Sequence, residues 1–172
     1  MTNLGLPVPP GFTISTEACR AYLEADDLPE GLAGEIDEHL TALEKEMGRR
    51  LGEPGDPLLV SVRSGAAVSM PGMMETVLNV GLNDESVRGL AEQSNDERFA
   101  LDSYRRLLQM FGATVLGIDS EVFAKALDRL KKDRGTESDT DLGVDDLGEL
   151  VQTFKRAIAE HTGREITPGT TA

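Results

Sequence analysis

The chain has no tryptophan, and aromatic residues make up only 4% of it. Leu, Val, Ile, Met and Ala must therefore fill its core. It has one cysteine, Cys19, which excludes an intramolecular disulfide. The setting of that thiol, STEACRAYL, reads as an early helix with no histidine nearby. That points to a packed or idle side chain rather than a nucleophile. The only histidines, His39 and His161, stand alone on helical segments, so no Cys/His metal spacing exists and both read as solvated helix residues. There is no Gly-Lys pair, hence no Walker A loop, and no G-x-G-x-x-G. No Ser/His/Asp set stands out. No apolar run approaches membrane-spanning length. The N-terminus, MTNLGLPVPPGF, lacks the basic and apolar regions of a secretory signal, so a cytoplasmic protein is expected.

Cations are scarce too. Seventeen Lys and Arg face 31 Asp and Glu, for a formal charge of -14. This argues against non-specific nucleic-acid binding, which needs a basic face, and against docking on an anionic membrane. It leaves a nucleotide possible, because a few cations in a cleft suffice locally when the far field is negative. The acid excess fits an ordinary soluble acidic protein, with a high-salt habitat as the alternative. At 172 residues the chain is one domain or slightly more, long enough to bury a core.

Periodicity divides the chain into two parts and a tail. A Pro/Gly-rich lead, with Pro7, Pro9 and Pro10 holding it extended, enters a short strand, Gly11 to Ile14. Ser15 or Thr16 caps a helix to about Ala25. A longer helix follows Pro29, with Leu32, Ile36, Leu40, Leu43, Met47 and Leu51 on one stripe and Gly52 ending it. GEPGDP (52–57) is a turn, a buried strand covers 58–63, and Thr76 to Val80 is a second strand pairing nearby. Helices then run from Asp84 to about Gln93, from a Ser94/Glu97 capping box through Val115, from Asp119 or Ser120 to Gly135, and from Val144 to Gly163. The expected fold is α+β: an α/β part (1–82), a helical subdomain (83–163) and a loose tail (164–172).

One block carries chemistry. In LLVSVRSGAAVSMPGMMETVLNVGLND (58–84) an apolar strand delivers Arg63 into a small-residue loop. A strand fixes a guanidinium, and small residues let backbone N–H groups approach an anion. Arg63-Ser64-Gly65 is thus either a phosphate site or a strand end with a capping arginine. The methionines around Pro71 are either core filler or a functional loop, and Ser69-Met70-Pro71-Gly72-Met73-Met74 cannot be a regular helix or strand. Glu75 is either an Mg²⁺ ligand or a solvated acid. Arg105 and Arg106 either reach back to the loop or form ion pairs.

The same block, with GLPVPPGFTISTEAC and ERFALDSYRRLLQMFG, closely resembles the amino-terminal nucleotide-binding domain of pyruvate, phosphate dikinase. The similarity runs from about Leu4 to Ile166. The resemblance implies a partial ATP-grasp type fold and, as ligands, ATP with Mg²⁺. In that family ATP phosphorylates a swivelling histidine with inorganic phosphate as co-substrate, and the histidine passes the phosphoryl group to pyruvate, giving AMP, diphosphate and phosphoenolpyruvate. By motif, Arg63 resembles the phosphate-contacting arginine and Ser64 and Gly65 its neighbours. Gly72 resembles the glycine of the loop closing over the phosphates, with Met73, Met74 and Thr76 beside it. The family usually has Asp where this chain has Glu75.

Departures from the family pattern shape the expectation. Only TNL follows Met1 before GLPVPPGF, where the family has a glycine-rich segment with an ATP-binding lysine. The family's acidic Mg²⁺ ligands and further arginine, phosphohistidine domain and pyruvate barrel have no counterpart here. The expectation is a dikinase fragment that binds nucleotide weakly, does not turn over alone and needs the other dikinase domains on another chain. Uncovered apolar faces would favour self-association. The alternative is a non-catalytic helical interaction module, or the remnant of a decayed gene.

Overall fold

The computed structural model describes residues 8–65 and 75–163. The chain forms two compact units, Met1–Arg50 and Leu51–Ala172.

The first unit holds two helices. In α1 (Thr16–Ala25) the N-cap Ser15 accepts a hydrogen bond from the Ala18 N–H, and Asp26 closes the helix in the left-handed region. In α2 (Leu32–Met47) the closing residue is Gly48, at φ 65°, not Gly52. Gly48 takes the left-handed conformation at low cost, so the helix stops a turn early and Leu51 leaves the stripe. Residues 11–14 form no strand. Among the described residues of this unit only Leu43 is buried. Phe12 stacks on His39 with ring centroids 5.6 Å apart.

The second unit begins with two small sheets. β1 (Arg50–Leu51) pairs with β2 (Pro57–Leu58), and β3 (Val60–Arg63) pairs antiparallel with β4 (Thr76–Val80). The strand expected at 58–63 is therefore split at Leu59, with a register irregularity between Val60 and Val62. The continuous buried strand is also corrected. Ser61, Val62 and Arg63 are exposed, so towards its end neither face of β3, which pairs with one strand among the described residues, is covered.

Four helices follow: α3 (Ser86–Ser94), α4 (Glu97–Thr114), α5 (Ser120–Arg134) and α6 (Val144–Thr162). α4 is capped by Asp96, whose carboxylate accepts from the Phe99 N–H. Ser94 does not form the expected box, since its hydroxyl donates to the Leu90 carbonyl at 2.7 Å. Asp119 caps α5 and Gly135 ends it as expected, and Gly163 ends α6. The core gathers Tyr104, Leu107, Leu108, Phe123, Leu147, Leu150, Phe154 and Ile158. Phe123 meets Phe154 edge to face at 4.9 Å. Val77 of β4 and Leu82 belong to this same cluster. The ribbon thus shares a core with the helices.

Candidate functional site

The β3–β4 ribbon carries the site. Arg63 is the last residue of β3 and lies across from Thr76, the first of β4. One step further out, the Ser64 N–H donates to the Glu75 carbonyl at 2.9 Å. The Glu75 N–H donates to the Ser64 hydroxyl at 2.9 Å, and that hydroxyl lies 3.2 Å from the Glu75 carbonyl. Three contacts between the same two residues tie Ser64 to Glu75 at this end of the ribbon. The structure therefore brings Arg63, Ser64, Gly65 and Thr76 together at one end of one ribbon. Gly72, Met73 and Met74 lie outside the described residues, as does Met70-Pro71.

Arg63 is exposed. Among the described residues no carboxylate lies within ion-pair reach of it. Among the described residues, a Cβ built on Gly65 would meet nothing within 4 Å. The Glu75 side chain is exposed as well. Among the described residues no three His, Cys, Asp or Glu side chains gather to hold a metal ion. The described residues do not by themselves fit an Mg²⁺ centre.

Behind the ribbon, a polar frame fixes its base. Asn79 adopts φ 60° and Gly81 φ 116°, and a Cβ on Gly81 would overlap the Leu58 carbonyl. Only glycine fits that approach. The Asn79 amide donates to the Ser103 carbonyl at 3.3 Å, tying β4 to α4. Ser86, fully buried, donates to the Gly81 carbonyl at 2.9 Å and accepts from the Asn83 N–H at 2.7 Å. Asp84 accepts from the Tyr104 hydroxyl at 3.1 Å and from Lys155 at 2.6 Å. Burial, with the Asp84 charge and hydrogen bond added, pushes the Tyr104 phenol well above its usual range. Sequence reading missed this frame. The signal was present in NVGLND, where Asn and Gly sit two apart at the end of a strand.

Arg105 and Arg106 form ion pairs on their own helix. Arg105 is buried and donates from Nε to Asp102 at 2.9 Å and from Nη1 to Gln109 at 3.2 Å. Arg106 donates to the other Asp102 oxygen at 2.8 Å. The two arginines bracket one carboxylate at i−3 and i−4 on α4. Burial raises the Asp102 carboxyl, but the hydrogen bonds and charges of both arginines outweigh it and hold the group below its usual range.

Residues 28–145 match the family described as pyruvate phosphate dikinase, AMP/ATP-binding domain. Similar curated proteins include pyruvate, phosphate dikinase 1, chloroplastic, of Arabidopsis thaliana, 54% identical over 166 residues, which is 96% of this chain and 17% of that protein. The pyruvate, phosphate dikinase of Rhizobium meliloti (strain 1021) is 52% identical over 164 residues, 95% of this chain and 18% of its own. That of Giardia intestinalis is 50% identical over 164 residues, 95% of this chain and 19% of its own. The chain thus spans less than a fifth of the length of these relatives. Among the described residues no helix is long and apolar enough to cross a membrane.

Proposed function

Because the chain belongs to the pyruvate phosphate dikinase AMP/ATP-binding domain family, we propose that it contributes the phosphate-contacting ribbon of a dikinase nucleotide domain. In this reading the domain is of ATP-grasp type. Arg63 donates to the phosphates of Mg-ATP, with Ser64, Gly65 and Thr76 framing the loop mouth and Gly72, Met73 and Met74 within the loop. The observation that carries the reading is the exposed guanidinium of Arg63 beside the tied pair Ser64 and Glu75.

The chemistry follows from charge. Phosphoryl transfer is catalysed mainly by positioning and by neutralising oxygens that gain negative charge. A guanidinium offers donors in a planar fork that matches two phosphate oxygens. A strand end fixes its origin. The Ser64–Glu75 tie holds this end of the ribbon together, so a loop folding onto nucleotide would move about a defined base. One arginine cannot supply the whole neutralisation. The full conversion of ATP, pyruvate and phosphate to AMP, phosphoenolpyruvate and diphosphate is therefore proposed for an assembly with the remaining dikinase domains.

Calorimetric titration with Mg-ATP tests this. Saturable binding by the chain, and no AMP formed from ATP, phosphate and pyruvate by the chain alone, are the expected results. A titration with no binding overturns the phosphate-contact reading and favours a non-catalytic helical module built on α3–α6. Turnover by the isolated chain overturns the division of labour.

A further inference from the structure

The charged residues of α5 and α6 converge on a second place, independent of the ribbon. A cleft of about 270 Å³ lies between these helices, lined by Ala126, Arg129, Leu130, Asp133, Glu149, Leu150, Thr153 and Arg156. Leu130 and Leu150 are buried and with Ala126 form its apolar part. Arg129 from α5 and Arg156 from α6 both line it. Among the described residues neither guanidinium has a carboxylate partner. Arg156 is instead held by the Thr153 hydroxyl at 3.2 Å. One of the cleft's two acids, Glu149, is already committed to Arg134 at 2.9 Å. Arg134 also engages Asp146, which keeps the Asp146 carboxyl below its usual range together with the Gly143 N–H. In a chain of net charge -14, two arginines without acid partners sharing one cleft with a leucine floor is an unusual local balance.

We propose that this cleft is a binding site for a small amphipathic anion: one carboxylate or phosphate group held by Arg129 and Arg156, and one compact apolar group against Leu130 and Leu150. The volume lies just under the usual range for ligand pockets, which limits the occupant to a ligand of few heavy atoms. The guanidinium pair supplies fork-shaped donors for either headgroup. Asp133 works against binding, since its charge partly cancels that of the pair.

Phenyl phosphate and 3-phenylpropionate distinguish the headgroups. Inorganic phosphate lacks the apolar part, and benzyl alcohol lacks the charge. Each is titrated into the full chain while amide resonances of residues 126–133 and 149–156 are followed by NMR. The expected result is saturable shifts with at least one of the two amphipathic anions and roughly fivefold or weaker affinity for phosphate and for benzyl alcohol. Arg129→Gln with Arg156→Gln should weaken binding about fivefold or more, and Asp133→Asn should tighten it. All three side chains are exposed, so the fold should survive, and Asp133→Asn tests the same charge logic by a gain rather than a loss. Shifts that do not saturate, alcohol binding as well as the anions, or affinity indifferent to these substitutions would overturn the proposal. None of these residues belongs to the ribbon, so the outcome does not depend on whether Arg63 meets a nucleotide.

Discussion

Replacing Ser86 with alanine should be the most damaging single-atom deletion in the frame behind the ribbon. The hydroxyl is fully buried. It donates to the Gly81 carbonyl at 2.9 Å and accepts from the Asn83 N–H at 2.7 Å. Deleting it leaves a buried carbonyl and a part-buried N–H without that partner. A buried polar group stripped of its partner costs about 1–3 kcal/mol. Water can relieve part of the Asn83 loss, so the expected total is about 2–3 kcal/mol. Alanine also leaves a small void, which adds to the loss rather than offsetting it. For a chain of this size the melting temperature should fall by roughly 5–10 °C. Urea unfolding followed by far-ultraviolet circular dichroism reads the effect. Ser94→Ala is the control, for Ser94 is exposed and its hydroxyl bonds only solvent-exposed backbone groups, the Leu90 and Ala91 carbonyls and the Asp96 N–H and carbonyl. That variant should stay within about 0.5 kcal/mol of wild type. If Ser86→Ala were as benign as Ser94→Ala, the claim that this frame fixes the base of the ribbon would be refuted.

Other expectations follow from the same geometry. In hydrogen exchange, amides in α4 and α6 should be the slowest, while α1 and α2, whose unit buries one described residue, exchange quickly; uniform protection would contradict the division at Arg50. Asp102→Asn should cost about 2–4 kcal/mol at neutral pH, because Arg105 is only 4% exposed and loses its hydrogen-bonded anion, keeping only the Asp139 carboxylate at 3.9 Å. The carboxyl is held below its usual value, so the stability it contributes is complete above the unfolded value and is lost as pH falls through the folded one; the wild-type and mutant curves should converge in acid. The Tyr104 phenol is pushed up, so its contribution persists below the ordinary tyrosine value and fades only in strong base. The native chain should therefore show less phenolate absorbance than the urea-unfolded chain at about pH 11, and Tyr104→Phe should abolish that difference.

The helical half was legible because its signals are local and redundant. α5 has its Asp119 cap, an apolar face at Phe123 and Leu130, and three basic residues in the last turn before Gly135, and the structure keeps all of these. Two helix ends were misplaced from local signals alone. Gly52 was read as the stop of α2 and Ser94 as the cap of α4, and the structure uses Gly48 and Asp96 instead. The decision came from which backbone carbonyl or N–H lay in reach. Burial of β3 was misread because apolar composition does not say how many strands will flank it. Arg105 shows the converse. Its charge suggested exposure, and only the pairing with Asp102 one turn earlier, seen in three dimensions, explains why it is buried. For the candidate site, chain-local neighbours were legible: Arg63, Ser64 and Gly65 join Thr76 because β3 and β4 pair. The supporting frame was not, since Tyr104 and Lys155 meet Asp84 from 20 and 71 residues away.

The central claim is that Arg63 meets phosphate because of where it stands and not merely because it is positive. Arg63→Ala and Arg88→Ala remove the same charge from two exposed positions. Calorimetry with Mg-ATP on both variants separates place from charge. The account predicts that Arg63→Ala weakens binding by about 1.5–3 kcal/mol, roughly ten- to hundredfold, as for hydrogen bonds to charged groups, while Arg88→Ala matches wild type. Equal losses in both variants, or an Arg63→Ala titration indistinguishable from wild type, would contradict it.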